Sequence, residues 1–123
     1  MMERNSSKVT KSGYLYKYEE SLLGMRSWKK YYFILKSNFL SWYPDAHSAT
    51  PVGMVDLEEA RIYESPAKKK KHEGCEFEVK SPAKTVLIRC DYAKELKPWI
   101  QALSMAKARH LTSHTVDLDK GMR

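Results

Sequence analysis

Two cysteines in 123 residues, Cys75 and Cys90, are too few for a disulfide scaffold. The chain also opens without the pattern of a secretory signal. Reduced thiols in a cytosolic setting are therefore expected, and with them two small buried hydrophobes. The triplet at Asn5 matters for glycosylation only in a secreted protein, and Met1-Met2 lacks the glycine that myristoylation needs. No apolar run approaches the roughly 20 residues of a membrane span. The four histidines, His47, His72, His110 and His114, are dispersed, with no Cys/His spacing of a zinc site. A glycine-rich phosphate loop, a nucleophile elbow and paired carboxylates are all missing, so neither catalysis nor a cofactor is expected. Acidic residues are in deficit: 15 against 22 Lys and Arg give a net charge of +7. Such a balance favours polyanionic partners (nucleic acid, an anionic membrane face or an acidic protein) without choosing among them.

What is present reads as one domain. A composition of 42% hydrophobic and 30% charged residues excludes disorder of the whole chain. Residues 1–10 are polar and aperiodic, a flexible tail. "SGYLYKY" alternates, with Tyr14, Tyr16 and Tyr18 on one side and Leu15 and Lys17 on the other, as in a strand. "SWKKYYFILK", "FLSWYP", "VGMVDL", "ARIYE", "CEFEVKS" and "KTVLIRC" follow as further strands. The loop after the first strand, "EESLLGMR", carries Leu22, Leu23 and Met25 in its middle, which is unusual for an exposed loop.

From Asp91 the period becomes helical. Leu96, Trp99, Ile100, Leu103 and Ala106 form one apolar stripe, with Asp91 as the expected N-cap. Pro98 conflicts with a helix interior, so either the helix bends there or its regular part begins nearer Leu96. The predicted organisation is a mainly β domain over 11–109: seven short strands forming a barrel or sandwich, closed at one end by a C-terminal amphipathic helix. A tail or linker follows over 110–123.

Four features give this chain its resemblance to the pleckstrin homology (PH) domain family. "KSGYLYK" is similar to the family's opening K-x-G-x-L-x-K. "WKKYYFIL" is similar to its second strand, W-K-x-R-x-F-x-L, and "NFLSWYPD" to its third. Trp99 stands alone in a helix after seven strands. The resemblance implies two near-orthogonal antiparallel sheets capped by the helix, and a non-catalytic module that binds phosphoinositide headgroups, an anionic membrane surface or a protein such as a small GTPase. Nucleic acid is not an expected partner: the family accounts for the tyrosines as structural residues.

In the family's usual headgroup site, Lys17 and Lys29 match two phosphate-binding lysines. Tyr31 replaces an arginine, Val52 replaces a second basic residue, and Trp42 stands where a headgroup-contacting tyrosine is common. Tight binding of a triphosphorylated headgroup is therefore not expected. An alternative pocket on the other side of the first loop would draw on Lys30, Arg26 and the run Lys68, Lys69, Lys70 and Lys71. That run reads either as a solvated loop or as the electrostatic half of a membrane-docking surface. There each cation is worth about 1 kcal/mol near an anionic leaflet. Leu22, Leu23 and Met25 either touch lipid or fold back onto the barrel.

Overall fold

Alternation of apolar and polar side chains runs through most of the strands, and it sets which face of the sheet becomes core. The computed structural model describes residues 9–64 and 75–121, with side chains through Arg109. Its strands are β1 (Val9–Glu20), β2 (Arg26–Lys36), β3 (Phe39–Tyr43), β4 (Gly53–Asp56), β5 (Arg61–Glu64), β6 (Glu76–Lys80) and β7 (Thr85–Arg89). Helix α1 spans Leu96–Gly121, and short 3-10 turns cover Leu57–Glu59 and Ala93–Glu95. Lys68, Lys69, Lys70 and Lys71, with residues 1–8, lie outside the described residues.

All strand pairings are antiparallel, in one sheet of order β4-β3-β2-β1-β7-β6-β5. β1 and β2 pair along nearly their whole length, from Val9↔Lys36 to Glu20↔Arg26. β1 meets β7 only at Tyr16↔Arg89 and Lys17↔Ile88. This short junction divides the sheet into a β1–β4 block and a β5–β7 block. Between them the hydrogen bonding does not close: β4 and β5 are the two sheet edges, bridged by the Leu57–Glu59 turn. The expected barrel is thus one continuous sheet left open at an edge.

Inward residues of both blocks make a single core. Leu15, Phe33, Leu35, Leu40, Phe77, Val86 and Ile88 are fully buried or nearly so. Helix α1 covers the open end with the stripe read from its periodicity: Leu96, Trp99, Leu103 and Ala106 are buried and Ile100 packs beside them. The Lys107 ammonium donates to the Ala60 carbonyl, fastening the helix to the chain that leads into β5.

Pro98 is resolved by where the helix starts. With Leu96 as first residue, Pro98 lies in the first turn, where its missing N–H has no intrahelical partner to lose. Asp91 is not the cap. The chain enters through the Ala93–Glu95 turn, capped by Tyr92 with no side-chain hydrogen bond, because that turn displaces the start of the helix past the reach of Asp91. The boundaries also differ from the expectation: Val9 and Thr10 already belong to β1, and the backbone stays helical to Gly121, past Arg109. Both cysteines are free and buried. Burial above all, then neighbouring Glu95, pushes the Cys90 thiol up to about 12, which leaves it an inert hydrophobe.

Candidate functional site

The β1–β2 hairpin projects from the sheet, and its tip is built by Ser21. The Ser21 hydroxyl accepts from the Leu23 N–H at 3.3 Å and the Met25 N–H at 3.2 Å. Its backbone N–H donates to the Met25 carbonyl at 2.7 Å, and its carbonyl accepts from Gly24 at 2.9 Å. Gly24 sits at φ 82°, a left-handed conformation that favours glycine. With its polar groups turned inward, the tip has only water for its apolar side chains. Leu22 is 106% exposed, Leu23 87% and Met25 69%, so the loop does not fold back onto the barrel.

Below the tip, strand parity separates the lysines. Lys17 and Lys29 are cross-strand partners on the inner face, at the mouth of the sheet. Like charges set directly opposite each other repel, and the structure offsets this with rings and one carboxylate. The Lys29 ammonium lies 5.5 Å from the Tyr31 ring centre and that of Lys17 5.7 Å from the Trp42 ring centre. The Tyr31 hydroxyl donates to Glu19 Oε2 at 2.7 Å, and Lys17 Nζ is 3.5 Å from the same oxygen. Burial, then the Glu19 hydrogen bond and charge, pushes the Tyr31 phenol up to about 12, so it stays a neutral donor.

Two residues of this mouth escaped sequence reasoning. Lys84, in the turn between β6 and β7, donates to the Met54 carbonyl at 2.9 Å and holds its ammonium 5.6 Å from the Trp42 ring centre. Glu19 falls in the stretch that the sequence pattern assigns to the loop, but it belongs to β1. The one available signal, inner-face parity with Lys17, needed the strand to be known to run to Glu20. Trp42, at the position where a headgroup-contacting tyrosine is common in the family, is 4% exposed and forms the floor of the mouth with an ammonium from each side of the site.

That floor depends on Gly53. A Cβ there would stand 2.3 Å from the Trp42 indole. Gly53→Ala is expected to lower stability by about 1–3 kcal/mol, the usual cost of overpacking. Urea unfolding measures it, and an unchanged midpoint would show that the indole is not held against Gly53.

The outer face is different. Arg89 lies 4.5 Å from the Trp28 ring centre and 5.3 Å from Tyr16, and Lys30 lies 5.3 Å from Tyr14 and 5.9 Å from Tyr16. Tyr18 meets Trp28 at a tilted angle, ring centres 5.1 Å apart, and Tyr14 meets Tyr32 edge-on. Lys30 thus points away from Lys29, as parity predicts. Arg26 sits beyond it at the hairpin end, 3.8 Å from Glu20, an exposed pair of little energetic value. Among the described residues no cluster could hold a metal, and no helix is long and apolar enough to cross a membrane.

The PH domain family profile matches residues 9–108, which is most of the chain. The chain belongs to the PH domain family. Among curated proteins, this PH domain is 34% identical over 80 residues to a RAC family serine/threonine-protein kinase homolog of Dictyostelium discoideum, covering 65% of this chain and 18% of that protein. It is 33% identical over 108 residues to a sterol 3-beta-glucosyltransferase of Emericella nidulans, covering 83% of this chain and 7% of that protein. The chain therefore spans only a small part of either relative. Among solved structures, the human TBC1 domain family member 2 PH domain superposes with a TM-score of 0.70 at 25% identity, covering 83% of each chain. The C-terminal PH domain of pleckstrin, crystallised with an inositol pentakisphosphate, gives 0.67 at 23% identity, covering 82% of this chain and 97% of that one. A PH domain is a membrane- or protein-interaction module, and the enzyme names belong to far longer proteins that contain one.

Proposed function

We propose that this PH domain docks reversibly on anionic, phosphoinositide-containing membrane faces through the β1–β2 hairpin. The observation that carries the reading is the pairing of an exposed apolar tip, Leu22, Leu23 and Met25, with a cationic mouth directly below it. Apolar contact plus positive charge is the two-signal route to reversible membrane binding. Lys17, Lys29 and Lys84 then contact headgroup phosphate, while Lys30, Arg26 and Arg89 face the leaflet from the outer side. Lys68, Lys69, Lys70 and Lys71 supply further field on this reading. The parent protein is thereby brought from the cytoplasm to the membrane surface.

Co-sedimentation with phosphoinositide vesicles, against phosphatidylserine vesicles of matched charge, tests this at low and physiological salt. Selective binding that survives salt is expected. Lys29→Ala should weaken it about tenfold, as the loss of one charged hydrogen bond does, and Lys30→Ala should leave selectivity intact. A greater loss of selectivity on Lys30→Ala would move the headgroup to the outer face.

One observation favours a second reading. Tyr31, bonded to Glu19, stands where the family's phosphate-clamping arginine is expected. On that reading the module holds a protein partner, and binding to vesicles follows bulk charge alone and fades with salt.

A further inference from the structure

The carboxylate of Glu19 is an anion already placed among the cations of the mouth. Lys17 and Lys29 face each other across the strands, and Lys17 and Lys84 share the Trp42 ring. Glu19 Oε2 lies 3.5 Å from Lys17 Nζ and is held there by the Tyr31 hydroxyl at 2.7 Å. Tyr31 is itself fixed, with only 4% of its surface exposed. The carboxylate is therefore positioned rather than loosely screening. We infer that Glu19 acts as an internal anion that competes with a headgroup phosphate for Lys17 and limits this site to headgroups bearing one phosphomonoester.

The inference rests on the membrane-docking reading above and follows from charge. Three ammoniums and one carboxylate leave a surplus of two positive charges in the mouth. One phosphomonoester carries roughly −1.5 to −2 at neutral pH, which matches that surplus. A bisphosphate carries about twice as much, so its second group meets the Glu19 carboxylate with no further cation of the mouth, among the described residues, to offset it. The family's arginine would have supplied that cation. Here the same position, Tyr31, supplies a donor that is spent on Glu19. A purely structural role for Glu19, relieving the repulsion between Lys17 and Lys29, makes the opposite prediction: removing its charge would weaken both the fold and the site.

The test uses the full chain, wild type and Glu19→Gln, with Glu19→Ala as a second variant, on vesicles containing inositol lipids of one phosphomonoester or two. Phosphatidylserine vesicles of matched charge are the reference, and the thermal midpoint of each variant is recorded alongside. Wild type is expected to bind the monophosphorylated lipid at least as well as the bisphosphorylated one. Either variant should raise the bisphosphate-to-monophosphate binding ratio about tenfold, the worth of one restored charged hydrogen bond. Selective wild-type binding with an unchanged ratio in both folded variants overturns this inference and leaves membrane docking standing. So does weaker binding to both lipids together with a lowered midpoint, the mark of a structural role. Equal binding of wild type and variants to every vesicle of matched charge overturns the docking reading itself, and this inference with it.

Discussion

Trp99→Ala is expected to cost about 3–5 kcal/mol, the range for deleting a buried large aromatic. The ring is 4% exposed at the open end of the sheet and faces Gly13 of β1, where an added Cβ would meet it at 3.7 Å. No strand pairing substitutes for it, because β4 and β5 do not join. A domain of ordinary stability holds only about 5–15 kcal/mol in total, so much of the population would lie near unfolding. Urea titration of the folded fraction provides the measurement. Lys11→Ala is the control: its ammonium lies 5.2 Å from the Trp99 ring centre, and an exposed cation–π contact is worth only about 0.5–1 kcal/mol. A cost below about 1 kcal/mol for Trp99→Ala would mean that the helix rests on the sheet without sealing the core.

The second large effect belongs to the hairpin tip. Fully burying a leucine side chain contributes about 1.5–3 kcal/mol. If Leu22 and Leu23 realise even part of this in the headgroup layer, about 1 kcal/mol each, the double substitution to serine lowers vesicle partitioning roughly thirtyfold. Its thermal midpoint should not move, since both side chains stand in solvent and the tip is held by Ser21 instead. The combination separates membrane contact from folding. Unchanged partitioning with an unchanged midpoint would remove the apolar half of the docking surface and leave charge as the whole attraction.

Much of this molecule was legible because strands and helices have fixed periods. Alternation in "SGYLYKY" put Leu15 and Lys17 on one face, and Leu15 is buried there. The i, i+3, i+4 stripe from Leu96 to Ala106 is the face of α1 that covers the core. Parity likewise separated Lys29 from Lys30, and the two ammoniums now sit over rings on opposite faces of β2. In each case the information is local, carried by neighbours a few residues apart. Cap and boundary positions were less legible: the 3-10 turn before α1 moved its start beyond Asp91. Such ends depend on small energy differences between competing turns.

The site divides the same way. Sequence by itself determined the succession of strands and helix along the chain, the core faces and an apolar patch on the first loop, while Lys17 and Lys29 were matched through the family resemblance. Whether that patch turned inward or outward was decided only in three dimensions, by Ser21 satisfying the tip's backbone and leaving Leu22, Leu23 and Met25 in water. Tertiary structure alone brought Lys84 to Trp42, across 42 positions of chain, and set Glu19 against Tyr31 and Lys17. The reason is physical: periodicity tells which face a side chain takes, but its partners on that face come from other strands. Only the folded register says which distant charges share a ring or an oxygen.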